Sequence, residues 1–235
     1  MAAREPDGPA ASALLLCAHG RGAAAEDHHV PETLADTLRA GGRFAEVEAC
    51  YLRGSPGIGD ALARLQATNV VLVPLLMAEG HTSKVVLPDA LAAVGEAAGR
   101  VRVTAPVGVA SALADLVVSV GLSTCGDRHW SPAATTILVA AHGTARHADS
   151  GGSAQRLVDR IAASGRFRAA TAAFIEQEPK LEARLRAIRP DPCVVIGLFM
   201  DHGDHSMDDI PQAIAAEHPD AAYSGAIGAH PGIAD

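Results

Sequence analysis

Five histidines in this sequence stand behind short apolar runs. His19 follows LLLCA and His142 follows ILVAA, each ahead of a glycine; His81 comes after VLVPLLMAEG, and His202 and His205 come after VVIGLFM. Two charged residues, Arg53 and Glu176, close the runs that lie between them. A neutral imidazole offers a nitrogen lone pair near neutral pH, and two or three imidazoles with one carboxylate suit a divalent first-row metal such as cobalt, iron, nickel or zinc. A closed structural zinc site takes four ligands, usually with cysteine. Ligands drawn from separate runs leave positions open, which favours a transient or catalytic metal. Asp208 and Asp209 precede Ile210-Pro211, where a helix should begin. Carboxylates there meet the helix dipole favourably, so capping accounts for them as well as metal binding does. His28, His29 and His147 have no such placement and read as solvated.

These residues are tied together by an internal repeat. LLLCAHG at 14–20 lies over ILVAAHG at 137–143, YLRGSPGIGDAL at 51–62 over FIEQEPKLEARL at 174–185, and VLVPLLMAEG at 71–80 over VVIGLFMDHG at 194–203, all at a shift of 123. LPDALAA at 87–93 matches IPQAIAA at 210–216 at the same shift, and TAPVGVASALAD at 104–115 lies over SGAIGAHPGIAD at 224–235 at a shift of 120. The chain is a duplication, with modules expected at 1–125 and 126–235. Each half reads β-α-β-α-β-α-β. Strands are expected at Ala13–Ala18, Val47–Leu52, Val70–Met77 and Val101–Val107, and again at Thr136–Ala141, Ala169–Ile175, Cys193–Met200 and Ala222–Ile227. Strands apolar throughout suit parallel sheets covered on both faces. GLSTCGDRHWSPAAT, rich in Gly, Ser and Pro, reads as the linker. The first half continues through SALADLVVSVGL, a last helix, whereas the chain stops at Asp235; the second half either lacks that helix or has it supplied from elsewhere.

Ligands of open parallel sheets bind beyond the carboxyl ends of the strands. By that rule His142, Glu176, His202 and His205 should meet at one edge of the second half, and His19 and His81 at the matching edge of the first. Composition narrows the rest. Hydrophobic residues make up 49% but aromatics only 3%, so the core is built of Ala, Val, Leu and Ile. The net charge of -8 argues against a nucleic-acid partner. No apolar stretch reaches the roughly 20 residues that span a bilayer, and the N-terminus makes a poor signal peptide. The cysteines Cys17, Cys50, Cys125 and Cys193 show no CxxC spacing and read as reduced thiols. A soluble cytoplasmic protein is expected. CAHGRG invites comparison with the Arg-His-Gly signature of histidine phosphatases, but that chemistry needs an arginine beside the histidine, and the preceding residues are Ala18 and Ala141.

Taken together, the motifs resemble those of the class II chelatases acting on sirohydrochlorin, the cobaltochelatases and ferrochelatases of cobalamin and sirohaem synthesis. ILVAAHGT at 137–144 and LLLCAHGR at 14–21 are similar to the family's opening strand and His-Gly. Phe174-Ile175-Glu176-Gln177-Glu178-Pro179 is similar to its second-strand block, His205 with Asp209-Ile210-Pro211 to its third, and Ile227-Gly228-Ala229-His230-Pro231 to its last. The resemblance covers nearly the whole chain. It implies an α/β fold of two similar chelatase-like modules, each a four-stranded parallel sheet flanked by helices, with a cleft between them for the tetrapyrrole. It implies that Co²⁺, Fe²⁺ or Ni²⁺ is a substrate, and that His142 and His205 bind it and assist deprotonation with Glu176 as acidic partner. His19 matches in the first half. His81 stands one residue out of register and Arg53 replaces the glutamate, so the second half is the more complete site. His202 and His81 remain candidate further ligands, and Arg21, Arg53, Lys84 and Arg146 candidate anchors for the substrate's carboxylates. No GxxxxGK[ST] loop is present, so no nucleotide is expected. The chain would act as a monomer or homodimer, without nucleic acid or membrane. A non-catalytic metal or tetrapyrrole carrier of the same fold is the alternative.

Overall fold

The computed structural model describes residues 12–20, 30–143 and 149–235. Among them lie two four-stranded, all-parallel sheets. The first is ordered β2-β1-β3-β4, from β1 (Ala13–Ala18), β2 (Glu46–Tyr51), β3 (Val70–Leu75) and β4 (Val101–Val103). The second repeats it as β6-β5-β7-β8, from β5 (Thr136–Ala141), β6 (Ala169–Phe174), β7 (Cys193–Gly197) and β8 (Ala222–Ala226). The offset of 123 carries β1 onto β5 and β2 onto β6 residue for residue. Helices α1 (Val30–Ala40), α2 (Ile58–Arg64) and α3 (Leu87–Val94) belong to the first half, and α5 (Asp149–Ala163), α6 (Leu181–Ile188) and α7 (Ile210–Glu217) to the second. In chain order α4 (Ser111–Asp127) comes between these two sets. No described helix is long and apolar enough to cross a membrane.

β1 and β5 are buried along their whole length, as strands covered on both faces must be. Alternate residues of the second sheet serve opposite faces. Ile137, Val139, Val194 and Ile196 join one apolar cluster, and Leu138, Ala140, Cys193 and Val195 join the other, with Leu181, Leu185, Ile210 and Ile214 from α6 and α7. All four cysteines are buried and free.

Two expectations need correction, and one open alternative closes. The strands expected to run to Met77, Val107 and Met200 stop at Leu75, Val103 and Gly197. The apolar run outlasts the ladder because the chain stays packed after it leaves the sheet: Leu198 is buried and Met77 lies against an apolar cluster. The expected linker is helical in its first part, since α4 runs to Asp127 with Val120, Gly121 and Cys125 buried. Gly121 serves close packing there, because a Cβ would stand 2.8 Å from Phe167 and 2.9 Å from Ile137. Finally, the helix that the second half was short of is α4. Its Leu113, Ala114, Val117 and Val120 sit in one cluster with Ile137, Val139, Leu157 and Ile196. Burying three such aliphatic side chains contributes about 1.5–3 kcal/mol each before the entropy of ordering them is subtracted. The compact units accordingly divide at Val107/Gly108, eighteen residues before the end of the sequence module, and Met77–Gly80 also lies with the second.

Candidate metal centre

Each sheet delivers a His-Gly pair beyond its first strand, and the backbone around the pair is the same in both units. The N–H of Arg53 donates to the carbonyl of His19 at 2.8 Å, and that of Glu176 to the carbonyl of His142 at 2.9 Å. One step back, Leu52 donates to Ala18 and Ile175 to Ala141; Tyr51 donates to Pro56 and Phe174 to Pro179. Gly20 and Gly143 carry φ of +75° and +72°. A Cβ on Gly20 would stand 1.9 Å from the Arg53 carbonyl oxygen, and one on Gly143 2.7 Å from the Gln177 side chain. Positive φ and this close approach together require glycine.

The third strand is followed in each unit by a turn of π-helix, Thr82–Val86 before α3 and His205–Asp209 before α7. Leu87 bonds back to Thr82 and Ile210 to His205, five residues each. Such turns recur at functional sites. In the second unit a third element supports the turn. The Ser206 carbonyl would look to residue 211 for its helical donor, but that residue is proline and has no N–H. The Tyr223 hydroxyl donates to Ser206 instead, at 2.9 Å. Gly197 makes room for it, since a Cβ there would come within 2.7 Å of the hydroxyl. Burial pushes the Tyr223 phenol up to about 12, so it remains a donor across the working pH range.

The imidazoles of His142 and His205 meet edge to face with centroids 4.6 Å apart. Two rings bound to one ion at about 2.0–2.1 Å would have centroids roughly 4.5–5 Å apart, and the observed separation falls in that range. The Nδ1 of His142 lies 2.7 Å from the Gly143 carbonyl and 3.7 Å from Glu176 Oε2. The Nδ1 of His205 lies 2.6 Å from Asp209 Oδ2. Both Nδ1 atoms face oxygens, which leaves both Nε2 atoms for a metal. Asp209 makes no capping bond to α7, so the helix-start role expected of it gives way to a bond with a histidine. The sequence offers Asp209 as a helix start or a metal ligand, not as a partner of His205, and does not single out Tyr223. The proline five residues beyond Ser206 was the available signal for Tyr223.

Other expected site residues are placed differently. His202 is exposed; its own N–H donates to Asp201, and its ring is not part of the His142–His205 pair. Among the described residues no group of three or more His, Cys, Asp or Glu side chains is gathered closely enough to hold a metal, so the expected set of three or four does not close around the pair. In the first unit His19 stands at its expected strand end, and burial first, then the Arg53 guanidinium, push its pKa below the ordinary 6.5. His81 precedes the π-turn, and the position matching His205 is Thr82. Arg53 and Lys84 are exposed. Arg21 and Arg146, with His28, His29 and His147, lie outside the described residues.

Comparison with known proteins completes the picture. The family model described as CbiX matches residues 13–120 and 136–235, one stretch in each repeat. A protein of Halobacterium salinarum named a probable sirohydrochlorin cobaltochelatase is 26% identical over 258 residues, covering 95% of this chain and 88% of its own. A solved CbiX, described as the terminal enzyme for biosynthesis of siroheme in denitrifying bacteria, is 26% identical with a TM-score of 0.73, over 95% of this chain and 94% of the other. SirB from Bacillus subtilis, solved with Fe³⁺, has the same fold with a TM-score of 0.76 at 17% identity, over 95% and 91% of the two chains.

Proposed function

The chain belongs to the CbiX family, and from that premise we propose that it is a sirohydrochlorin chelatase, inserting a divalent metal ion into the macrocycle. The observation that carries the site assignment is the His142–His205 pair, two imidazoles 4.6 Å apart with both Nδ1 atoms engaged by oxygens. The reaction removes two pyrrole N–H protons and strips water from the ion. Nε2 of His142 and Nε2 of His205 take the place of two waters and present the metal. Glu176, exposed and 3.7 Å from His142, accepts the two pyrrole protons in turn at its carboxylate and releases each to solvent as the metal enters. The second unit is thus the metal-inserting one. The first keeps the histidine but sets Arg53 where Glu176 stands, and its own strand-end edge, with Lys84, suits carboxylates rather than a metal ion. Cobalt is the metal we favour, because a relative that covers 95% of this chain is named a probable sirohydrochlorin cobaltochelatase; iron is next. The four buried free thiols suit the reducing cytoplasm.

The test is insertion of Co²⁺ into sirohydrochlorin followed by absorbance. His142→Ala and His205→Ala are each expected to lower the rate about 100-fold or more. Full rate in both variants would discard the second-unit site. Stoichiometric binding of metal or tetrapyrrole without turnover would make the protein a carrier.

A further inference from the structure

We propose that Asp209 is a positioning residue for His205: its carboxylate holds the Nδ1–H, and so fixes the tautomer in which Nε2 carries the lone pair for the incoming metal. The proposal deepens the chelatase reading and rests on it for its catalytic consequence. Its structural basis is independent. The π-turn closes its bonds five residues apart and brings residues 205 and 209 side by side, with Nδ1 2.6 Å from Oδ2. A carboxylate acceptor at that distance makes a charge-assisted bond, stronger than one between neutral groups.

The two repeats supply an internal control. In the first unit the same π-turn leads into α3, with Thr82 in place of His205 and Val86 in place of Asp209. That helix starts from Val86 without a side-chain cap, and its first-turn acid is Asp89, three residues further on. A helix beginning in this way therefore has no need of an acid at the position, and α7 makes no capping bond to the one it has. Where the histidine is absent the aspartate is absent too. Asp208, the neighbouring acid, is exposed and makes no described contact with the ring.

The two ligands also differ in what holds them. His142 can place its Nδ1–H on the carbonyl of Gly143, part of the backbone. His205 depends on one side chain. A histidine free in water favours the tautomer with hydrogen on Nε2, which blocks the nitrogen a metal needs here. Without Asp209 the ring must change tautomer before it can bind, and it loses the contact that fixes its orientation.

The experiment is ¹⁵N NMR of histidine-labelled protein at a pH where the imidazoles are neutral, with Co²⁺ titration of the same samples. Wild-type His205 is expected with its proton on Nδ1. In Asp209→Val, the residue the first unit carries in the same turn, the proton should move mainly to Nε2. Co²⁺ affinity should then fall about 10-fold to 100-fold, and KM for the metal should rise while KM for the tetrapyrrole holds. Asp209→Asn, whose amide oxygen still accepts, should recover most of the affinity, and Asp208→Val should match wild type. A wild-type His205 protonated on Nε2 overturns the proposal, and that measurement needs no variant to fold. So does an Asp209→Val protein with unchanged Co²⁺ affinity. If wild type binds Co²⁺ but never inserts it, the chelatase reading fails, while the tautomer and affinity still decide the role of Asp209.

Discussion

The first unit's strand-end frame carries His19, Arg53, Thr82 and Val86; the second unit's carries His142, Glu176, His205 and Asp209. Beneath them lie the same N–H to carbonyl bonds, the same positive-φ glycine and the same π-turn. The shared features are made by backbone atoms and by a glycine, so they survive replacement of the side chains they display. What differs is charge and donor set. One frame offers a histidine beside a guanidinium, suited to anions, and the other offers two histidines each beside a carboxylate, suited to a cation. A duplicated scaffold can therefore change its chemistry without changing its fold.

That contrast is open to direct attack by exchanging residues between the frames. Glu176→Arg, which gives the second unit the first unit's cation, should reduce metal insertion about 100-fold or more. In the other direction, Arg53→Glu combined with Thr82→His and Val86→Asp should raise Co²⁺ stoichiometry from one to two per chain in calorimetric titration. A triple variant that folds and still binds one ion would show that the backbone frames are less equivalent than their bonds suggest.

A smaller effect is expected at the glycines. Gly20→Ala and Gly143→Ala each adopt a conformation costing about 1–3 kcal/mol. Gly20→Ala should be the more destabilising in denaturant, since its Cβ meets a backbone carbonyl where that of Gly143→Ala meets a flexible glutamine first. Equal losses would mean that φ alone matters. The smallest effect concerns His19. Its lowered pKa means the fold disfavours the imidazolium, so the associated stability is complete above 6.5 and is lost as pH falls through the lower folded value. Arg53→Gln should raise that pKa in an NMR titration, though not fully, because burial is the larger cause. An unmoved titration would remove the guanidinium from the account of this site.

Much of this is legible in the sequence, for reasons that particular residues make plain. The repeat shows because LLLCAHG and ILVAAHG carry the same pattern at a fixed distance, and a strand buried on both faces tolerates little else. His142, Glu176 and His205 show because loops beyond parallel strands collect ligands. The role of Asp209 does not show, since an acid before Ile-Pro is as good a helix start as a histidine partner; only the five-residue closure of the turn separates the two. The placement of α4 is hidden for another reason. Its glycines and serines suggest a linker, and Gly121 gives no sign in sequence that it lies against Phe167 and Ile137.

Helix α4 also has a place in time. A chain made at about 5–20 residues per second finishes Ser111–Asp127 several seconds before Cys193–Gly197, one of the strands that this helix packs against. All four strands of the first sheet precede it in the chain, so that sheet can assemble while Leu113, Val117 and Val120 still have no surface to cover. The order of synthesis, as much as the strength of packing, sets when the second unit can close.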